Sequence, residues 1–549
     1  MYYIGVDLGT SAVKLLLMEG NGKICNIVSN EYPLSFPQPG WSEQKPEDWW
    51  EQSKEGIREL VKDVDKSQVA GISFGGQMHG LVILDENDNV IRPAILWNDG
   101  RTAKQTDYLN TVIGKEKLSE YTANIAFAGF TAPKILWVKE NEPDNFAKIC
   151  KIMLPKDYLA YRLSGAFVSD YSDASGMLLM DVKNKCWSKE MAEICGISLE
   201  MLPELHESFD AVGTLKPEAA AELGLPETCK VVAGAGDNAA AAVGTGTVGD
   251  GMCNVSLGTS GTVFISSSKF GVDSHNALHA FAHADGHYHL MGCMLSAASC
   301  NKWWMDEIIR TKEYTKEQEN ITKLGENNVF FLPYLMGERS PHNNPDARGT
   351  FIGLTMDTTR EDMTQAVLEG VAFAIRDSFE VAKSLGIQIE RTKICGGGAK
   401  SPLWRRMIAN VLNIKVDRIE SEEGPALGGA MLAAIAEGYA FAAKAGIDLQ
   451  TTFDATRGGF VGGPLYDNKV PKLLVRDYEP GARVAVHRKD ILNAKRYAHK
   501  LGVDVPVTDV TLQIMDWMND NGYIDEDQIA MVKYFEDKMD VTVGAAPQA

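Results

Sequence analysis

The chain has 549 residues, with 54 Lys and Arg against 74 Asp and Glu for a formal net charge of −20, and at roughly 100–200 residues per domain it has room for about three domains. It is 45% hydrophobic and 23% charged, an ordinary globular mixture, and its acidic balance argues against nucleic acid or an anionic membrane as partner, since both reward basic surface. The nine cysteines form no CxxC pair, Met1–Asp7 has no basic stretch, and no run approaches about 18 uncharged apolar residues, so the expectation is a cytoplasmic chain of reduced thiols with no signal peptide and no membrane span.

In chain order, the first feature is Val6-Asp7-Leu8-Gly9-Thr10-Ser11-Ala12-Val13, where a β-rich run enters a Gly-Thr-Ser turn and leaves through Lys14-Leu15-Leu16-Leu17. The pattern returns at Val255-Ser256-Leu257-Gly258-Thr259-Ser260-Gly261-Thr262-Val263. Each copy reads as a hairpin. A glycine lets the backbone approach a ligand, and successive N–H groups beside a hydroxyl make an anion-binding concavity. Two such hairpins, one per domain, can hold a triphosphate between them. Asp7 has Ser256 as its counterpart, and a carboxylate beside phosphates is tolerable when a cation lies between, which makes Asp7 a candidate for a Mg²⁺ shell.

A probable strand, Val69–Phe74, leads into Gly75-Gly76-Gln77-Met78-His79-Gly80, and Trp97-Asn98-Asp99-Gly100-Arg101 follows shortly. A sugar needs a flat apolar surface and several fixed polar groups. Met78 and Trp97 are candidates for the surface; Gln77, His79, Asn98, Asp99 and Arg101 are candidates for the hydrogen bonds. An apolar run, Val231-Val232-Ala233, enters Gly234-Ala235-Gly236-Asp237-Asn238. Residues 358–384 read as a helix with a possible Thr358/Glu361 capping box and a narrow packing face at Met363, Val367, Gly370, Val371, Ala374 and Ser378.

The paired hairpins resemble the actin-like ATPase superfamily, in which two related domains hold a nucleotide in the cleft. Thr131-Ala132-Pro133-Lys134-Ile135-Leu136-Trp137, the Gly337-Glu338-Arg339-Ser340-Pro341 segment and Gly396-Gly397-Gly398-Ala399-Lys400-Ser401 resemble, in order, motifs of the FGGY family of carbohydrate kinases. The Gly75–Gly80 and Trp97–Arg101 segments, with Phe36–Gln44, match the xylulokinase pattern within that family. The resemblance implies two α/β domains of the ribonuclease-H-like (actin-like ATPase) type, residues 1–245 binding sugar and 246–440 binding ATP. It implies phosphoryl transfer from Mg-ATP to D-xylulose with Asp237 as catalytic base and Asn238 beside it on the sugar. The nucleotide would lie on Gly9, Thr10, Ser11, Lys14, Gly258, Thr259, Ser260, Gly397, Gly398 and Ala399, with Gly424–Ala430 admitting the adenine. A homodimer is common in the family. A sister kinase for ribulose, gluconate or glycerol, a non-catalytic ATP-dependent clamp, and an inactive fusion are the alternatives.

Beyond about residue 440 the resemblance changes. Arg457–Gly463, Glu479–Arg483, His487–Ala494 and the run to about Val543 resemble the helical C-terminal part of a β-hydroxyacid dehydrogenase of the tartronate-semialdehyde reductase type. Upstream there is no strand–GxGxxG–helix unit, and that family's catalytic lysine has no counterpart, so residues 441–549 are expected to be a helical appendage joined within Ala430–Ile447 rather than a dehydrogenase. Its apolar positions Ile514, Met515, Trp517, Met518, Ile529 and Met531 would then need cover from the kinase or a second copy, or stay exposed.

Overall fold

The structure, a computed structural model, describes residues 1–20, 22–418, 478, 484–485, 488, 492, 506–526, 530, 533–534 and 537. By contacts the chain divides into two compact units, Met1–Phe441 and Ala442–Ala549. The expected Gly424–Ala430 loop, the Ala430–Ile447 join, the Arg457–Gly463 and Glu479–Arg483 segments, Ile529 and Met531 lie outside the described residues.

The first unit repeats one sheet design. Strands β1 (Tyr2–Leu8), β2 (Ala12–Glu19) and β3 (Ile24–Glu31) form an antiparallel meander. On the other side of β1, β4 (Val69–Gly76) runs parallel, followed by β6 (Lys230–Val232) and the edge strand β5 (Ala211–Thr214), giving the order β5-β6-β4-β1-β2-β3. The second sheet contains β7 (Cys253–Leu257), β8 (Gly261–Ser267), β9 (His279–Ala282), β10 (Tyr288–Met294), β11 (Arg391–Cys395) and β12 (Lys415–Arg418), in the order β9-β10-β8-β7-β11-β12. Outward from each hairpin, β3-β2-β1-β4-β6 and β10-β8-β7-β11-β12 are the same arrangement: three antiparallel strands, then two parallel ones. This is the ribonuclease-H-like duplication that the repeated turn implied.

The burial explains the strands. Ile4, Val6 and Leu8 in β1 and Val13, Leu15 and Leu17 in β2 are all buried, as central strands covered on both faces require. Strand β3 instead alternates between half-buried and exposed positions, the pattern of an edge. Helix α1 (Pro46–Leu60) starts with Pro at its first turn followed by Glu47 and Asp48, which suit the positive helix end, and buries Trp49, Trp50, Ile57 and Leu60. Helices α2 (Thr131–Asn141), α3 (Pro155–Ser164) and α4 (Asp237–Gly244) carry or support site residues.

Edge strand β9 is covered by the first domain's helical region. Asn124 accepts the Ala280 N–H at 3.2 Å and donates to its carbonyl at 2.9 Å. The Ser175 hydroxyl accepts the Ala282 N–H at 2.9 Å, and Asn276 donates to the Ala123 carbonyl at 3.1 Å. An exposed edge is thereby closed, and one apolar cluster runs from Leu118, Phe130 and Ile135 to Phe281, Val371 and Trp404.

Helix α5 (Arg360–Ser384) corrects one detail of the sequence reading. Its capping box is Thr359 with Asp362, one residue later than Thr358 with Glu361: the Thr359 hydroxyl accepts the Asp362 N–H at 3.2 Å and the Asp362 carboxylate accepts the Thr359 N–H at 2.9 Å. Thr358 instead turns its hydroxyl to the Thr355 N–H at 2.8 Å. The predicted face is otherwise buried at Val367, Gly370, Val371, Ala374 and Ser378. Helix α6 (Pro402–Leu412) packs beside α5, with Trp404 donating to the Leu368 carbonyl at 2.9 Å.

In the second unit, helix α7 (Pro506–Asp520) contributes Met515 and Met518 to a small core with Val484 and Ala530, flanked by Tyr478, Trp517, Tyr523 and Ile524. Lys533 joins it through Glu526 at 2.6 Å and lies 4.1 Å over the Tyr523 ring. Met515 and Met518 were expected to need cover from outside the segment; they are buried by the segment itself.

A Cβ built on Gly370 would lie 2.2 Å from the Phe331 carbonyl oxygen, so backbone must move to accept it. Gly370→Ala is expected to destabilise the protein by about 1–3 kcal/mol, read as a lowered denaturant midpoint.

Candidate active site

The two Gly-Thr-Ser turns sit at the tips of the β1–β2 and β7–β8 hairpins, where Leu8 pairs with Val13 and Leu257 with Gly261. Gly9 closes its turn by donating to the Ala12 carbonyl at 3.1 Å, and a Cβ there would come within 3.0 Å of that oxygen. Among the described residues the N–H groups of Thr10, Ser11, Thr259 and Ser260 donate to no acceptor. Four backbone donors at two matching turns suit an anion. The Thr259 carbonyl is occupied by the Ala297 N–H at 3.0 Å and the Ser299 hydroxyl at 2.6 Å, which fix the second turn. Asp7 lies in register with Lys14 on β2 and Gly75 on β4. Its charge, with burial as the larger cause, pushes the Tyr32 phenol well above its ordinary pKa, while that hydroxyl donates to the Gly9 carbonyl.

The sugar-side segment begins where β4 ends, two residues beyond the predicted Phe74. Gln77 is buried; its N–H donates to the Leu8 carbonyl at 2.9 Å and its amide to Gln44 at 3.2 Å. Gln44 donates in turn to the Thr10 carbonyl at 2.6 Å, which links this segment to the first phosphate turn. Met78 is buried between Gly176 and Gly236, where built Cβ atoms would come within 2.9 and 3.0 Å of it. His79 holds a left-handed backbone, φ 69°, uncommon for a residue with a side chain. Its ring stacks on Phe130 at 4.7 Å between centroids, and burial, followed by the charges of Lys134 and Arg339, lowers its pKa to about 3. The neutral ring has Nδ1 2.7 Å from the Gly176 carbonyl. A carbonyl only accepts, so Nδ1 carries the proton and Nε2 is left as an acceptor.

Two members of the expected constellation are placed differently. Asp99 and Arg101 have fully buried side chains and bind each other, Arg101 Nη2 lying 2.7 Å from Asp99 Oδ2. Asp99 also accepts the Ser42 N–H at 2.6 Å, Arg101 reaches Glu43 at 2.7 Å, and the guanidinium stacks 3.8 Å over Trp41. Arg92 closes the network onto Glu43 and Glu142. Asp99 and Arg101, expected as sugar hydrogen-bonding groups, make these bonds to the scaffold beneath the loop. Trp97 and Asn98, by contrast, are exposed, and Trp97 Nε1 donates to the Thr10 hydroxyl at 2.9 Å.

Asp237 opens α4, and Asn238 follows it, both half-buried. Oδ1 of Asp237 accepts the Asn238 N–H at 2.7 Å and its side-chain amide at 2.8 Å; Oδ2 accepts none among the described residues. Burial raises the carboxyl to about 6, and those two bonds oppose the rise. The Gly396–Ser401 loop packs against the second hairpin: Gly396 has φ 86°, and a Cβ on Gly398 would meet Leu257 at 3.0 Å. Gly398 and Ala399 are buried, whereas nothing lies within 4 Å of a Cβ on Gly397.

Several supporting residues carried no role in the sequence reading. Lys134, fully buried, donates to the His79 and Gly129 carbonyls, both at 2.7 Å, and Thr131 adds a third bond to His79 at 3.1 Å. The Thr131–Trp137 motif thus holds the left-handed turn. Burial puts the Lys134 pKa well below its ordinary value. Glu338 accepts the Leu295 and Arg339 N–H groups at 2.9 and 2.8 Å and is raised to about 7 by burial. Arg339 lies 5.1 Å over Phe127, with no carboxylate within 4 Å among the described residues. The signal was present in the motifs, but no spacing rule tells which member faces inward.

Residues 2–244 match the N-terminal domain, and 253–437 the C-terminal domain, of the FGGY family of carbohydrate kinases. Residues 426–535 match the NAD-binding domain of NADP-dependent 3-hydroxyisobutyrate dehydrogenase, overlapping the kinase match over 426–437. The chain is 42% identical over 438 residues to xylulose kinase of Escherichia coli (strain K12), spanning 79% of this chain and 90% of that one. Its fold resembles the crystal structure of a xyloylose kinase from Brucella ovis, with TM-score 0.77 and 41% identity, covering 82% of this chain and 92% of the other. Gluconate kinase from Lactobacillus acidophilus aligns with TM-score 0.75 at 28% identity, covering 80% and 89%. A repeated ribonuclease-H-like sheet, two matched Gly-Thr-Ser turns and identity sustained over nearly the whole of these relatives lead to one assignment: the chain belongs to the FGGY family of carbohydrate kinases.

Proposed function

We propose that the chain phosphorylates D-xylulose to D-xylulose 5-phosphate with Mg-ATP, residues 1–245 holding the sugar and 246–440 the nucleotide. The observation that carries the reading is Asp237: a carboxylate with one oxygen fixed by Asn238 and the other unbonded among the described residues, at the end of a turn whose Gly236 packs against Met78. The fold alone does not select the sugar, since the gluconate kinase aligns nearly as well as the Brucella protein. The degree of identity to xylulose kinases favours the ketopentose.

In this reading the sugar hydroxyl oxygen attacks the γ-phosphorus, the bond from that phosphorus to the ADP oxygen breaks, and Asp237 Oδ2 takes the hydroxyl proton. The N–H groups of Thr10, Ser11, Thr259 and Ser260 hold the phosphates, and Gly397, Gly398 and Ala399 border the adenosine. Mg²⁺ keeps most of its shell as water and phosphate oxygens and needs as little as one protein carboxylate. Asp7 is that carboxylate, and Mg²⁺ there would supply charge neutralisation for the phosphates. His79 Nε2, the Asn238 amide, Asn98 and the Trp97 surface bind the ketose, while Gln77 aligns the loop. Asp99 and Arg101 serve as its foundation.

ADP release by the purified chain with Mg-ATP should be stimulated strongly by D-xylulose and little by ribulose, gluconate, glycerol or no sugar. No stimulation by any sugar, in a chain that still binds ATP, would instead favour a kinase impaired by its dehydrogenase-like extension. Asp237→Asn should lower kcat by about 10²–10⁴-fold, the usual scale of general-base loss, with sugar affinity nearly kept; retained turnover overturns the base. Because turnover needs the carboxylate and its pKa is raised to about 6, kcat should fall as pH drops through about 6, rather than near the ordinary carboxylate value. Lys134→Met removes the bond that holds the His79 carbonyl, and KM for the ketose should rise about tenfold while KM for ATP stays; equal changes in both would contradict a loop-specific role.

A further inference from the structure

Beneath Asp237 lies a cluster of charge that no motif marked. Lys156, in the first turn of α3, is fully buried, with Nζ 2.6 Å from Asp157, 2.8 Å from Asp170 and 3.8 Å from Asp173. The other oxygen of Asp170 accepts the Ser172 N–H at 2.8 Å, the Ser172 hydroxyl at 2.5 Å and the Ser208 hydroxyl at 2.6 Å. Both serines then hold the turn that ends in Asp237. The Ser172 hydroxyl accepts the Gly236 N–H at 3.1 Å, and the Ser208 carbonyl accepts the Gly234 N–H at 3.0 Å. Gly234 has φ 75°, and a Cβ there would lie 2.6 Å from the Phe74 carbonyl oxygen. The turn is pressed against β4 from one side and, on the other, bonded to two serines that one carboxylate holds.

We propose that Asp170 is a positioning residue for phosphoryl transfer: through Ser172 and Ser208 it fixes the Gly234–Gly236 turn and so aims the free oxygen of Asp237 at the reacting hydroxyl. This rests on the reading of Asp237 as the base. The sequence offers a reason for so heavy an anchor. Gly234-Ala235-Gly236 has two glycines and no side chain larger than a methyl, so it cannot hold its own conformation, and a misplacement of about 1 Å at a reacting group costs on the order of 10²-fold in rate. Charge-assisted hydrogen bonds are the strong ones, and Asp170 is at once the 2.8 Å partner of the Lys156 ammonium and the acceptor for both serines. Asp173, whose two oxygens are buried without a hydrogen bond, is raised well above the carboxylate range by burial, with the Asp237 charge among the further causes. Burial, before any charge, raises the Cys293 thiol, and Arg339 and Asp237 act on it in opposite directions.

The test compares Ser172→Ala and Ser208→Ala, which each cut one link without adding a charge, with Asp170→Asn and Asp237→Asn in the full chain. For each, kcat, KM for the ketose, the acid limb of the kcat profile and the thermal midpoint are measured. Ser172→Ala should lower kcat about tenfold or more, leave KM within about threefold, and move the acid limb to lower pH as the loosened carboxylate gains solvent. Adding Ser172→Ala to Asp170→Asn should cost little further, because both cut one path. If Ser172→Ala does not fold, Ser208→Ala reads the second link alone. Unchanged kcat and acid limb in the folded serine variants, whatever their thermal midpoints, overturn the proposal. Normal turnover by Asp237→Asn would instead overturn the base itself.

Discussion

Burial of Lys156 against three carboxylates is the interaction on which the first domain's working surface rests. Taking an ammonium out of water costs several kcal/mol even after relaxation, and only dense, well-placed acceptors offset it. Asp157 and Asp170 do so here, and Asp170 spends its remaining lone pairs on the turn before Asp237. The same lysine sits under the sugar loop, because a Cβ on Gly76 would meet its own Cβ at 2.6 Å. Lys134, equally buried, is held by carbonyls instead of carboxylates. The two therefore shift in opposite directions, Lys156 above its ordinary pKa and Lys134 well below it. Burial alone does not fix the charge of a lysine; the partners do.

The duplicated sheet is symmetric in backbone and asymmetric in chemistry. Its first hairpin carries Asp7 and is tied to the sugar loop through Gln44 and through the Trp97–Thr10 bond. Its second carries Ser256 at the matching place and is bordered by Gly396 and Gly398. Duplication supplied two similar turns, and divergence gave them different neighbours. A second joining of unlike parts occurs where the kinase and dehydrogenase matches overlap, over residues 426–437.

Features written locally were legible in the sequence. The two hairpins, the strand into Gly75–Gly80, the α5 packing face and the turn at Asp237 all follow from runs of a few residues whose spacing has one reasonable solution. What escaped depends on partners far apart in the chain. The bonds of Asp99 and Arg101 to Ser42 and Glu43, more than fifty positions earlier, are invisible to any local run of residues. Asp170 and Ser208 are unremarkable alone, and only the fold makes them one clamp. The capping box slipped by one residue because Thr358 and Thr359 are both competent caps and the choice turns on which one Thr355 engages. Met515 and Met518 looked orphaned because cover by Val484 and Ala530 cannot be read from a helical period.

The stitching of β9 to the first domain through Asn124, Ser175 and Asn276 has a mechanical consequence. These bonds join the edge strand of one sheet to the helical insertion of the other, so along that flank the two halves are bound like pages at a spine. Relative motion then has its smallest amplitude there and grows with distance from the seam.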